Sequence, residues 1–142
     1  MRFGKLSVFS VLAVGAALAI AACGSSSSGS SSTTGPSTPT TTPAGAVNTT
    51  TITITNSVAS PKDIIVARGS QVRFINNDSQ SHNMTSNPHP EHTDCPEINS
   101  VGFLGAGQQK QTGNMVTNRT ICGFHDHDSP DVAGLRGSIT IQ

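Results

Sequence analysis

"TTTITIT", residues 49–55, alternates Ile52 and Ile54 with threonines. β-Branched residues at a period of two suit a pleated strand with one buried face, and they lose side-chain freedom in a helix. Other segments repeat the pattern. "DIIVA" (63–67) follows Pro61 and ends before Gly69 and Ser70. "QVRFIN" (71–76) sets Val72 and Phe74 on one face and Arg73 on the other, and "NNDS" then turns the chain. "SVGFLG" (100–105) and "QQKQT" (108–112) flank a glycine-rich turn, while "NRTICGF" (118–124) and "GSITIQ" (137–142) complete the set. No segment keeps a helical period. About seven short strands with regular turns predict an all-β antiparallel sandwich, its core lying between two alternating faces.

The 142 residues divide into three parts. Residues 1–22 read as a signal peptide: "MRFGK" is a short positive region, and the apolar run after it has signal-peptide length. The run ends in "IAAC", which resembles the bacterial lipobox, making Cys23 the expected lipidation site and residues 1–22 a lipoprotein-type leader. Residues 23–46 form the linker. From Gly24 to Gly45 only Ala44 is not Ser, Thr, Gly or Pro, a composition with nothing to bury. Such a disordered tether spans roughly 25 Å, on the scale of about 5–6 Å × √n. Residues 47–142 then make one folded domain. The chain is expected to be exported and lipid-anchored at the extracytoplasmic face of the cell membrane or outer membrane.

Charged residues are scarce at 11%, and there is no Trp or Tyr. Setting Arg2 and Lys5 aside with the leader leaves six Lys/Arg against eight Asp/Glu. Without a basic cluster or stacking aromatics, nucleic acid is not an expected partner. No nucleophile–base constellation, phosphate-binding glycine loop or dinucleotide motif stands out, so binding is expected rather than enzyme activity.

All five histidines fall in two dense runs, "HNMTSNPHPEHTDC" (82–95) and "CGFHDHDSPD" (122–131), together with Cys95 and Cys122. Imidazole and thiolate suit soft or borderline metals, copper or zinc. His125 and His127 stand three and five positions after Cys122. In a continued strand, odd offsets would place them opposite the sulfur, so convergence needs a turn, which Gly123 could permit. Glu91, Asp94, Glu97, Asp126, Asp128 and Asp131 lie in or beside the same runs. Such carboxylates can serve as hydrogen-bond partners to ligating imidazoles.

From Pro61 to Ile141, the segments "SPKDIIVARGSQVRFINNDSQSHNM", "GFLGAGQQKQT" and "RTICGFHDH…LRGSITI" resemble the cupredoxins, the plastocyanin and azurin group of blue-copper proteins. The resemblance implies a Greek-key β-sandwich with a mononuclear copper held by two histidines and a cysteine, often with a weak axial methionine. Its ligands would be His82, Cys122 and either His125 or His127. Where the axial methionine usually stands this chain has Leu135, leaving Met84, Asp126 or Asp128 to approach instead. The loop after Cys122 is longer than usual, and His89, His92 and Cys95 are further candidate ligands that the common pattern does not require.

Cys95 leaves two chemistries open. With Cys23 lipidated, an exported protein's remaining pair reads as a Cys95–Cys122 disulfide, worth about 3–4 kcal/mol in the chain-entropy model. That bond would remove the thiolate and leave a histidine-rich copper site suited to storage or delivery. The resemblance favours the thiolate, hence one-electron transfer with a redox partner protein. The disulfide implies a copper donor or acceptor as partner.

Overall fold

In the computed structural model, which describes residues 41–142, ten strands follow one another. They are β1 (Val47–Asn48), β2 (Thr51–Thr55), β3 (Val58–Ser60), β4 (Asp63–Val66), β5 (Arg73–Asn76), β6 (His82–Ser86), β7 (Gly102–Leu104), β8 (Gln109–Gln111), β9 (Ile121–Asp126) and β10 (Gly137–Ile141). Short 3-10 turns occupy Ile98–Ser100 and Ala133–Leu135. The expected signal peptide, Cys23 and the tether up to residue 40 lie outside the described residues.

The alternation of "TTTITIT" becomes β2, with Ile52 and Ile54 fully buried. β5 behaves likewise: Phe74 is buried and Arg73 exposed. One sheet orders its strands β1-β4-β10-β9-β6-β7, the other β3-β2-β5-β8. The sheets are mixed rather than wholly antiparallel, because β1–β4, β4–β10 and β2–β5 pair in parallel. Parallel neighbours cannot share a tight hairpin. Here the chain passes from one sheet to the other and returns, which brings β4 beside the far-distant β10.

Three strands were not among the segments singled out by alternation. β1 and β3 are too short to show a period, and β6 holds only Met84 as an apolar residue. β6 is nevertheless internal, flanked by β9 and β7.

The two layers meet where Phe74 of β5 touches Phe124 of β9 edge to face, with centroids 5.3 Å apart. Such a pair adds about 0.5–1.5 kcal/mol beyond its area. β10 closes against the same ring: a Cβ at Gly137 would lie 2.5 Å from Phe124 Cζ and 1.9 Å from the Lys62 carbonyl oxygen. Phe124 therefore defines the inner face of β9, and alternation puts Cys122 inward and His125 outward. The register pairs Thr85 with His125 and Ser86 with Phe124, so β6 shares these two faces.

Candidate metal centre

β9 runs from Ile121 to Asp126 without a turn at Gly123. Cys122 consequently stays on the inner face, fully buried, where it forms a disulfide with the equally buried Cys95 (Cα–Cα 5.7 Å). The thiolate ligand expected at Cys122 is absent from this arrangement, and so is any ligand role for Cys95. The bond instead ties the loop after β6 to the strand that carries His125.

His82 is likewise committed elsewhere. It opens β6 at 3% exposure, with Nδ1 2.9 Å from Asp126 Oδ2 and Nε2 3.0 Å from Asp78 Oδ2. Both ring nitrogens face carboxylates, so each is already engaged by a partner within the fold. The neighbouring turn is built for this contact. Buried Asn76 donates through Nδ2 to the carbonyls of Gln80 (2.7 Å) and Leu104 (2.9 Å), and its Oδ1 accepts from the Asp78 N–H (2.9 Å). Burial pushes the Asp78 carboxyl up, but hydrogen bonds from the Ser57 N–H, His82 and the Asn56 N–H outweigh it and hold its pKa below the usual value. Asp126 is engaged as well, its Oδ1 accepting from the N–H groups of Asn83 (2.8 Å) and Asp128 (3.2 Å). Met84 and Leu135 are buried in the apolar core. The residues that would form a blue-copper site do not fit one.

The other four histidines converge on the outer face. Donor atoms of His89, His92, His125 and His127 lie within 4.8 Å of one another. His125 is the buried member, at 2% exposure, and His89 the exposed one. His125 and His127, alternatives in the sequence, both lie in this cluster, together with His89 and His92.

His125 Nδ1 lies 2.9 Å from Asn87 Oδ1. A carboxamide oxygen only accepts, so Nδ1–H donates and the lone pair is fixed on Nε2. That Nε2 is buried without a hydrogen-bond partner. Buried polar atoms are rarely left so, and a ligating imidazole commonly has its second nitrogen held in this way.

The loop is tied to β9 through Asn87 and held together by its own hydrogen bonds. Asn87 N–H donates to the Gly123 carbonyl (3.0 Å), and Asp94 N–H to the Asn87 carbonyl (2.8 Å). His92 N–H donates to the Pro88 carbonyl (2.7 Å), while Asn99 Nδ2 donates to the His92 carbonyl (2.9 Å). His92 sits at φ 54°, a left-handed conformation that costs a non-glycine residue about 1–3 kcal/mol and tends to occur at functional sites. Gly123 has its own reason: a Cβ there would come 2.1 Å from Asn87 Nδ2 and 2.9 Å from Asn87 Cγ. Its missing side chain makes room for the amide that orients His125.

Electrostatics favour neutral ligands. Burial lowers the pKa of His125, and the neighbouring His92, His89, His127 and Arg136 lower it further. Burial, His127 and His89 lower that of His92 against a small opposing effect of Glu91. His127 Nδ1 and His92 Nε2 are 3.2 Å apart. Two nitrogens on one tetrahedral ion, with bonds of about 2.0–2.1 Å, would stand roughly 3.3 Å apart. That pair already stands at ligand spacing, and imidazole donors suit a borderline metal ion such as copper or zinc. Asn87 gave no signal in the sequence beyond an Asn-Pro pair, which reads as a turn.

Solved structures share this architecture. An oxidised amicyanin mutant superposes with a TM-score of 0.51 at 17% identity, covering 69% of this chain and 83% of its own. Oxidised plastocyanin from Dryopteris crassirhizoma gives 0.50 at 14% identity, covering 65% and 99%. A fern plastocyanin mutant gives 0.50 at 15%, again covering 65% and 99%. The fold is a cupredoxin β-sandwich. No protein-family model and no curated protein sequence matches the chain. Within this cupredoxin frame, the inner-face position of His82 and Cys122 holds the Asp78–His82–Asp126 contacts and a disulfide, and the other imidazoles cluster on the outer face.

Proposed function

We propose that the chain is a copper-binding protein that holds one ion among His89, His92, His125 and His127 and stores it or passes it to a partner. The observation that carries this reading is the buried, unpaired Nε2 of His125, oriented by Asn87 toward three further imidazoles. Among divalent first-row metals an all-nitrogen site binds Cu(II) most tightly, and four imidazoles suit it. Bound there, copper would supply an ion able to pass between Cu(I) and Cu(II). The chain's own part is to hold neutral imidazoles in place: Asn87 fixes the buried ligand, the disulfide fastens the loop, and exposed His89 leaves one side open to exchange.

Transfer to or from a copper donor or acceptor fits that open side. One-electron transfer with a redox partner, the reading a Cys122 thiolate would have carried, has lost that ligand to the disulfide. A lipid anchor on Cys23 and the tether would keep the domain at the extracytoplasmic membrane surface, where the disulfide persists. Competition titration of the oxidised protein with Cu(II) against a chelator tests the reading. It predicts one tight ion per chain, lost in His125→Ala and retained in His82→Ala. Copper binding that survives His125→Ala and His127→Ala together would overturn it.

A further inference from the structure

We propose that the histidine cluster is half of a two-part site, in which a small inorganic anion binds in the adjoining cleft between the held metal ion and the guanidinium of Arg136. The inference rests on the four-histidine reading above and names the ligand class that site would take. A cleft of about 420 Å³ reaches the cluster and is lined by His89, His125 and Arg136, among others. A water's share of liquid volume is about 30 Å³, so the space admits a small anion together with several waters.

Charge decides the class of ligand. Four neutral imidazoles leave a divalent ion's charge uncompensated, whereas a thiolate would have offset part of it. Two nearby carboxylates are engaged away from the cluster, and a third pairs with Arg136 itself. Asp94 lines the cleft but pairs with Arg119, and Asp126 points inward to His82. Asp131 is fully exposed and meets Arg136 Nη2 at 3.2 Å. Arg136 is further fixed by its Nε–H, which donates to the Pro130 carbonyl. A guanidinium tethered in this way stays at the wall of the cleft that His125 also lines. A cation on the wall beside a second cation in the cluster favours an anion between them, bound by a charge-assisted hydrogen bond.

The probe is azide. Oxidised full-length protein is first loaded with Cu(II), and loading is verified by chelator competition in anion-free buffer. Azide is then titrated while the azide-to-copper charge-transfer band and the electron paramagnetic resonance (EPR) spectrum are followed. The proposal expects a saturable one-to-one change, weakened ~10-fold in Arg136→Gln and partly restored in Arg136→Lys, all at full copper loading. An unchanged spectrum in the fully loaded protein, or equal azide affinity in Arg136→Gln, would overturn it. Failure to take up copper at all would refute the metal reading instead.

Discussion

Replacing Gly123 by alanine adds one methyl group far from the ligating nitrogens, yet it should weaken copper binding strongly. The new Cβ would stand 2.1 Å from Asn87 Nδ2, where no side-chain carbon can remain. The Asn87 amide must rotate, and the 2.9 Å contact that fixes the His125 tautomer is lost with it. Loss of such an outer partner typically lowers metal affinity 10–100-fold, or about 1.4–2.7 kcal/mol. The fold itself should lose less, about 0.5–1.5 kcal/mol for one hydrogen bond. At about 4–8 °C per kcal/mol for a domain of this size, the metal-free melting temperature should fall only modestly. Asn87→Ala should reproduce the affinity loss, and the double variant should bind no worse than Asn87→Ala alone because both changes remove one contact. The assay is chelator competition with Cu(II), paired with nitrogen NMR of the His125 ring. A Gly123→Ala protein with parental affinity and Nδ1 still protonated toward Asn87 would refute the reasoning.

Removing the disulfide in Cys95→Ala/Cys122→Ala should lower unfolding free energy by about 2–5 kcal/mol in denaturant and weaken copper binding by loosening the loop that carries His92. An unchanged midpoint would contradict the structural role of the bond. Phe124→Ala should cost about 3–5 kcal/mol, since it removes the ring that joins both sheets, and calorimetry would detect it. His92 and His125 have depressed pKa values, so both remain neutral ligands as pH falls below the ordinary imidazole value of 6.5. Copper affinity measured against pH should therefore persist to lower pH than for freely solvated imidazoles. In the metal-free protein, the stability linked to these two rings is fully present above the unfolded value and is lost as pH falls through it toward the folded values. A metal-free protein that gained stability on acidification through that range would contradict the shifts.

The strands with clean alternation were readable: Ile52 and Ile54 in β2 and Phe74 in β5 bury as their period implies, whereas the closing "GSITI" buries Thr140 along with both isoleucines. β6 was not, because its place between two strands, rather than its own apolar content, buries it. The site was half readable. The odd offset between Cys122 and His125 correctly implies opposite faces, and β9 obeys it. Reconciling them needed a turn at Gly123, but that glycine serves Asn87 instead. His82 could be seen as a histidine near other histidines. Its capture by Asp126, 44 positions away, depends on the β6–β9 register, which no local pattern specifies. Placing His89 and His92 over the outer face similarly required knowing where the loop after β6 folds back.

The most direct test of the account is the EPR and visible spectrum of the oxidised, Cu(II)-loaded protein, recorded beside its Cys122→Ala variant. Four imidazole ligands predict nitrogen hyperfine structure, no intense thiolate-to-copper band, and the same ligand signature in the variant. An intense visible band that disappears in Cys122→Ala would show the sulfur on copper and contradict the four-histidine centre.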